Sequence, residues 1–278
     1  MGHPPGKIMG DIPDTAGVHG VALAPDLGRG FTSNGRAGTV TIFDLKTLVT
    51  IGQVSAGQNP DAIVYDPASK RVFAMNGRSH DATAIDAASG KVAGTVPLGG
   101  KPEFAVADDR GRVYVNLEDK SQLLALDSRK LQVVARWPLA PCEEPTGLTI
   151  DVEHRRLFAG CLNKLMAVVD AESGKIVATL PIGSGVDATG FDAGPQYAYA
   201  SNGDGTLTVI HEDAPDKFTV VDNISTQRGA RTMALDPATH QIYLVTADFG
   251  PPPPATPSQP RPRPPILPDT LVVLVVGR

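Results

Sequence analysis

Residues 61–102, DAIVYDPASKRVFAMNGRSHDATAIDAASGKVAGTVPLGGKP, decide the fold. Ala62–Tyr65, Arg71–Met75 and Ala82–Ile85 are short runs rich in Val, Ile, Phe and Tyr, and Lys91–Val96 is a fourth, less regular run. Asp66-Pro67, Asn76-Gly77 and Ser89-Gly90 between them are turn chemistry. Four short strands bounded by tight turns make one β-propeller blade.

The unit recurs along the chain. Aligned on itself, it places strand starts at His19, Asp61, Glu103, Thr146, Asp187 and Arg231, which subtraction spaces at 42, 42, 43, 41 and 44 residues. A period of this size built from short strands predicts a propeller or a solenoid. The same register recovers a turn after the first strand (Pro25-Asp26, Asp66-Pro67, Asp108-Asp109, Asp151, Asp192, Asp236-Pro237). It also recovers an Asp closing the third strand at 44, 86, 127 and 170, with His211 in that slot in the fifth unit.

The two ends depart from the pattern in complementary ways. Residues 6–13, GKIMGDIP, match the fourth-strand segments GKVAGTVP (90–97) and GKIVATLP (174–181), whereas the last unit supplies only three strands, Thr232–Leu235, Gln241–Thr246 and Leu271–Val276. The expectation is one all-β domain spanning residues 1–278, a propeller of six four-stranded blades whose N-terminal strand, residues 6–12, completes the C-terminal blade and removes its open edge. Residues 247–270, ADFGPPPPATPSQPRPRPPILPDT, interrupt that blade; the prolines exclude ladder and helix, so an extended insertion or lid is expected, with docking of a protein partner as the alternative.

Composition excludes several function classes. A net charge of −5 and an aromatic content of 5% argue against a nucleic-acid surface. No apolar run approaches the roughly 18 residues that span a bilayer, and the opening MGHPPGKIMGDIPD has no charged-then-apolar leader pattern. A monomer is expected.

The DPASKRVF stretch at 66–73, its counterpart DPATHQIY at 236–243, and the segments AIDAASGK (84–91) and VVDAESGK (168–175) resemble the YVTN-repeat, YncE-like family of bacterial β-propellers. The resemblance covers essentially residues 6–278. It implies the propeller fold and a periplasmic or secreted setting, since relatives are often exported and many have seven blades. It leaves the activity open.

In a propeller the first strands line the central channel, so the residues that start them converge. His19, Asp61, Glu103, Glu144 and Asp187 are therefore candidate ligands for a divalent metal, with zinc, calcium or manganese as the ion. Polar residues lining a water-filled channel are the competing reading. With a metal, the channel mouth suits a hydrolase acting on a small lactone, ester or phosphoester: His19, Glu103 or Asp187 as general base and Arg231 stabilising developing negative charge. Without one, the same face is a binding surface for a small ligand or a protein. Asn34, Asn76, Asn116 and Asn202, together with Arg36 and Arg78, are candidate ligand contacts, although three of the asparagines precede Gly as a tight hairpin requires. Cys142 and Cys161 belong at one end of the same blade, as a disulfide, free structural thiols or metal ligands. His80, His154 and His240 fall in turns, the last two on the opposite face, and His211 is expected to cap a turn.

Overall fold

A computed structural model describes residues 8–256, 262 and 264–277. Its regular structure is almost entirely strand, arranged as six antiparallel sheets in chain order, a six-bladed β-propeller. Blade 1 contains β1 (Val18–Ala24), β2 (Arg29–Asn34), β3 (Thr39–Asp44) and β4 (Thr50–Ser55); blade 2 contains β5 (Pro60–Asp66), β6 (Arg71–Asn76), β7 (Asp81–Asp86) and β8 (Val92–Pro97). Blade 3 contains β9 (Pro102–Ala107), β10 (Arg112–Leu117), β11 (Gln122–Asp127) and β12 (Gln132–Pro138). Blade 4 is β13 (Pro145–Asp151), β14 (Arg156–Cys161), β15 (Leu165–Asp170) and β16 (Ile176–Pro181); blade 5 is β17 (Val186–Asp192), β18 (Tyr197–Asn202), β19 (Thr206–Ala214) and β20 (Lys217–Ser225). The last sheet is β21 (Thr232–Asp236), β22 (Gln241–Thr246) and β23 (Val272–Val276). By contact the chain divides into two compact units, Met1–Pro138 and Leu139–Arg278, with three blades in each.

The blades pack through faces that the sequence makes apolar. Phe73, Met75, Val96 and Leu98 of blade 2 meet Val113, Val115, Leu124 and Leu126 of blade 3, all buried, with Leu131 and Val133 at the rim. In the second unit fully buried Phe158 stacks on Phe191 at 5.4 Å and meets Phe218 edge-on at 5.6 Å, joining blades 4 and 5.

The two repeated aspartates have separate tasks. The residue closing the third strand caps the following turn: Asp44 Oδ1 accepts from the amides of Lys46 and Thr47 at 3.0 and 2.7 Å, and Asp170 Oδ1 accepts from those of Glu172 and Ser173 at 3.2 and 2.8 Å. His211 departs from this role, its Nδ1 lying 2.6 Å from Asp213 Oδ1. The residue closing the first strand is instead buried (Asp66, Asp108, Asp151 and Asp192 are each at most 1% exposed) and holds the turn into the second strand. Asp66 accepts from Ala68 and Ser69, and Asp108 from Arg110 and Arg112. That turn ends on a left-handed residue, Lys70, Arg155, Gln196 or His240, with φ between 56 and 60°.

The expected closure by residues 6–12 is not seen. Residues 1–7 lie outside the described residues, and Ile8–Pro13 forms no ladder. This segment runs instead along blade 1: Gly10 abuts Leu48, and Gln53 Nε2 donates to the Asp14 carbonyl at 3.0 Å. Among the described residues the last sheet has three strands, and β23 pairs only with β22. A cleft of about 620 Å3 lies beside it, lined by Tyr197, Tyr199, Val221, Ile224, Ile242 and Val276. The proline-rich insertion leaves the blade through a closed stem, with a Phe249–Ile266 bridge, Gly250 N donating to Pro265 O and Leu267 N to Asp248 O, both at 2.9 Å. Among the described residues no helix is long and apolar enough to cross a membrane.

Candidate functional site

Five of the six residues predicted to start a first strand sit in a β-bulge; Arg231 instead precedes β21, whose ladder is regular. The ladder slips between Val18 and Gly20 around His19, between Pro60 and Ile63 around Asp61, between Pro102 and Ala105 around Glu103, between Pro145 and Leu148 around Thr146, and between Val186 and Ala188 around Asp187. A bulge takes the residue out of the ladder and re-aims its side chain, so each of these five blades presents one polar side chain off the ladder. Side-chain hydroxyls link neighbouring first strands at this end: Ser33 donates to the Asp61 carbonyl, Ser201 to that of Arg231, and Thr146 to that of Val186 at 2.9 Å.

In the first unit these groups form a charged row. His19 Nδ1 lies 3.4 Å from Asp61 Oδ1, and Lys101 bridges Glu103 at 3.2 Å and Glu118 at a shorter contact. Burial pushes the Glu103 carboxyl up to about 7; Glu118 and Asp61 add to this and Lys101 opposes it. In the second unit Arg231 Nε lies 3.7 Å from Asp187 Oδ2, and Glu144 is exposed on the loop beside the cystine. Cys142 and Cys161 are disulfide-bonded with Cα atoms 5.6 Å apart.

Asn34, Asn76, Asn116 and Asn202 are fully buried. Asn34 donates to Thr41 at 2.8 Å, Asn76 to Thr83 at 2.9 Å and Asn202 to Thr208 at 3.0 Å, so these amides tie the hairpin between second and third strands. Arg36 and Arg78, one residue beyond Asn-Gly, behave differently. Both are exposed and both line an open cleft of about 420 Å3 in blades 1 and 2, with Gln58, Asn59 and Ser79. The lining contains two guanidinium groups and no carboxylate.

The tightest gathering of ligand-type side chains lies at the other end of the strands. Among the described residues, one set of three has its ligand atoms within 4.8 Å of one another: Asp151, His154 and Glu212. Nδ1 of His154 is 2.7 Å from Asp151 Oδ2 and 3.2 Å from Glu212 Oε1. Burial, and then the Asp151 carboxylate, push the Glu212 carboxyl up to about 7, against the pull of His154. Sequence reading passed over His154 as a turn residue and did not single out Glu212. The available signal was the slot after the third strand, where Ala87, Ser128 and Ala171 have small side chains and blade 5 has a glutamate.

Fold and site together define a β-propeller with polar groups displayed at both strand ends. No protein-family model matches the sequence, and no curated protein matches it. Among solved structures the chain is similar to Kuenenia stuttgartiensis hydrazine synthase, with a TM-score of 0.71 and 18% identity over 88% of this chain and 80% of that one. It is also similar to the Cps50 (Swd1) β-propeller domain of Myceliophteria thermophila, with a TM-score of 0.70 and 13% identity over 82% and 80%. At these identities the likeness is one of fold.

Proposed function

We propose that this protein is a binding propeller of the YncE-like kind that takes a small anionic molecule, a carboxylate or phosphate, in the cleft between Arg36 and Arg78. The observation that carries the reading is the lining of that cleft, which holds two guanidinium groups with amide and hydroxyl donors and no carboxylate. Arginine presents a planar fork of donors matched to carboxylate and phosphate oxygens. The glycines support the shape: a Cβ at Gly57 would fall 2.5 Å from Ser79 Oγ, and one at Gly35 2.6 Å from the His19 ring. The cystine supports an oxidising compartment.

Titration calorimetry with phosphate, pyrophosphate and citrate, and with a neutral sugar as control, tests the reading. One anion should bind saturably and raise the melting temperature, and Arg36→Ala with Arg78→Ala should abolish both effects. Indifference of the double variant would remove the proposal.

A hydrolase is the second reading, favoured by Glu103. A carboxyl with a pKa of about 7 near Asp61, itself paired with His19, is poised as a general base at neutral pH. His19, Asp61 and Glu103 would hold a divalent ion, which supplies a polarised substrate oxygen and a more acidic bound water. Turnover of a lactone, carboxylester or phosphotriester, lost on chelation and in Glu103→Gln, would establish this reading over simple binding. The proline-rich segment, 247–270, remains the proposed contact for a protein partner.

A further inference from the structure

We propose that Asp151, His154 and Glu212 form a divalent-metal site of the zinc class that joins blade 4 to blade 5, separate from the channel-mouth groups. Asp151 closes β13 and its carboxylate is already oriented: Oδ1 accepts from the Glu153 amide at 2.9 Å and Oδ2 from the His154 amide at 3.2 Å. His154 belongs to the same turn, so an Asp-x-x-His step places a carboxylate and an imidazole side by side. Glu212 arrives from the neighbouring blade on β19.

The position of Glu212 marks it as a ligand. Its amide donates to the Gln196 carbonyl, as the amides of Ala87, Ser128 and Ala171 donate to Lys70, Gly111 and Arg155 in blades 2, 3 and 4. Those three side chains are small and buried, so packing at this position requires no glutamate. Glu212 is only 4% exposed, yet neither carboxyl oxygen has a hydrogen-bond partner, and His154 Nδ1 also has none. Three ligand-type atoms thus face one another, with the His154 imidazole in ion-pair contact with both carboxylates. Arg156, the nearby cation, is committed to Asp170, Asp216 and the carbonyls of Pro215, His154 and Arg155.

Burying an unbonded carboxylate beside a second carboxylate is costly, and a shared cation removes the cost. One imidazole with two carboxylates suits zinc or a similar first-row ion better than calcium, which takes more oxygen ligands. The side chain of His154 is 30% exposed and marks the side open to an entering ion and a water ligand.

The test is calorimetric titration of the EDTA-treated, dialysed full-length protein with zinc chloride, with manganese and calcium chlorides in parallel, alongside thermal melts. Wild type should bind one zinc per chain with a melting temperature that rises on loading and returns with EDTA. Glu212→Ala copies the residue of blades 2 and 4, so it should fold at least as stably in EDTA and lose both the binding and the rise. His154→Gln should lose them too, whereas His80→Ala, at an exposed turn, should keep them. Zinc binding that survives Glu212→Ala, or that disappears in His80→Ala, would overturn the site, as would absence of a zinc-dependent shift in wild type.

Discussion

Replacing Glu103 by Gln tests the electrostatics at the first-strand end of blade 3 through stability alone. The carboxyl rises from its ordinary 4.5 to about 7 because it is largely buried in blade 3 and faces Asp61 and Glu118. Raising a carboxyl by that much corresponds to ~3 kcal/mol once it is ionised. The opposing Lys101 contact is worth less than about 1 kcal/mol, since an ammonium 39% exposed pairs weakly. Burial therefore wins. The folded state holds the Glu103 proton more tightly than the unfolded chain, so between pH 4.5 and about 7 folding takes up a proton. The contribution to stability is present below 4.5 and is lost as pH rises through about 7. Gln has the same shape and never ionises. Equilibrium urea unfolding, followed by the emission of Trp137 in the same blade, should show the two proteins equal near pH 4.5 and the Gln variant ahead by up to ~3 kcal/mol at pH 8. A difference independent of pH, or a Gln variant less stable at pH 8, would refute the argument.

Cys142 and Cys161 close a loop of 19 residues in blade 4, a constraint on the unfolded chain worth about 3 kcal/mol. Reduction, or the double Cys→Ser variant, should lower the melting temperature of the native fold by several degrees; unchanged melts with and without reductant would contradict this. Replacing residues 251–265 with a short turn that keeps the Phe249–Ile266 bridge should leave the melting temperature unaltered, because surface loops tolerate such changes when their stems are paired. A large drop in the melt would show that the segment packs against the blades. In the second unit, Asp192 is buried against His240 Nδ1 at 2.8 Å, so His240→Ala should destabilise by on the order of 1–3 kcal/mol in thermal or urea unfolding, and a silent variant would show the pair to be idle.

Much of the architecture was legible because propeller strands are short, local and repeated. The ladders match the expected strands closely: the second, predicted at Arg71–Met75, extends from Arg71 to Asn76, and the third, predicted at Ala82–Ile85, from Asp81 to Asp86. Asp44, Asp86, Asp127 and Asp170 cap turns, and their hydrogen bonds hold their carboxyls below the ordinary carboxylate range, most directly where backbone and hydroxyl donors converge on Asp44. The asparagines were harder to read. A position near the channel mouth implied a ligand contact, but the amides of Asn34, Asn76 and Asn202 turn into their own hairpins and bond threonine. The N-terminal segment was also harder: GKIMGDIP has the letters of a fourth strand, but strand pairing is decided by which edge the chain reaches, and Gly10 and Asp14 lie against blade 1.

By itself the sequence determined the number of repeats, the strands within the first five and the polar residue near the start of each first strand, because these follow from local alternation and turn chemistry read at a fixed period. Tertiary structure decided which side chains meet. His154 and Glu212 are 58 residues apart by subtraction and belong to different blades, and no local pattern states that the turn of one faces the third strand of the next. Arg36 and Arg78 share a cleft for the same reason. A repeat of about 42 residues sets what each blade contains, while contacts between neighbouring blades depend on how their faces stack, a property of packing at long sequence separation.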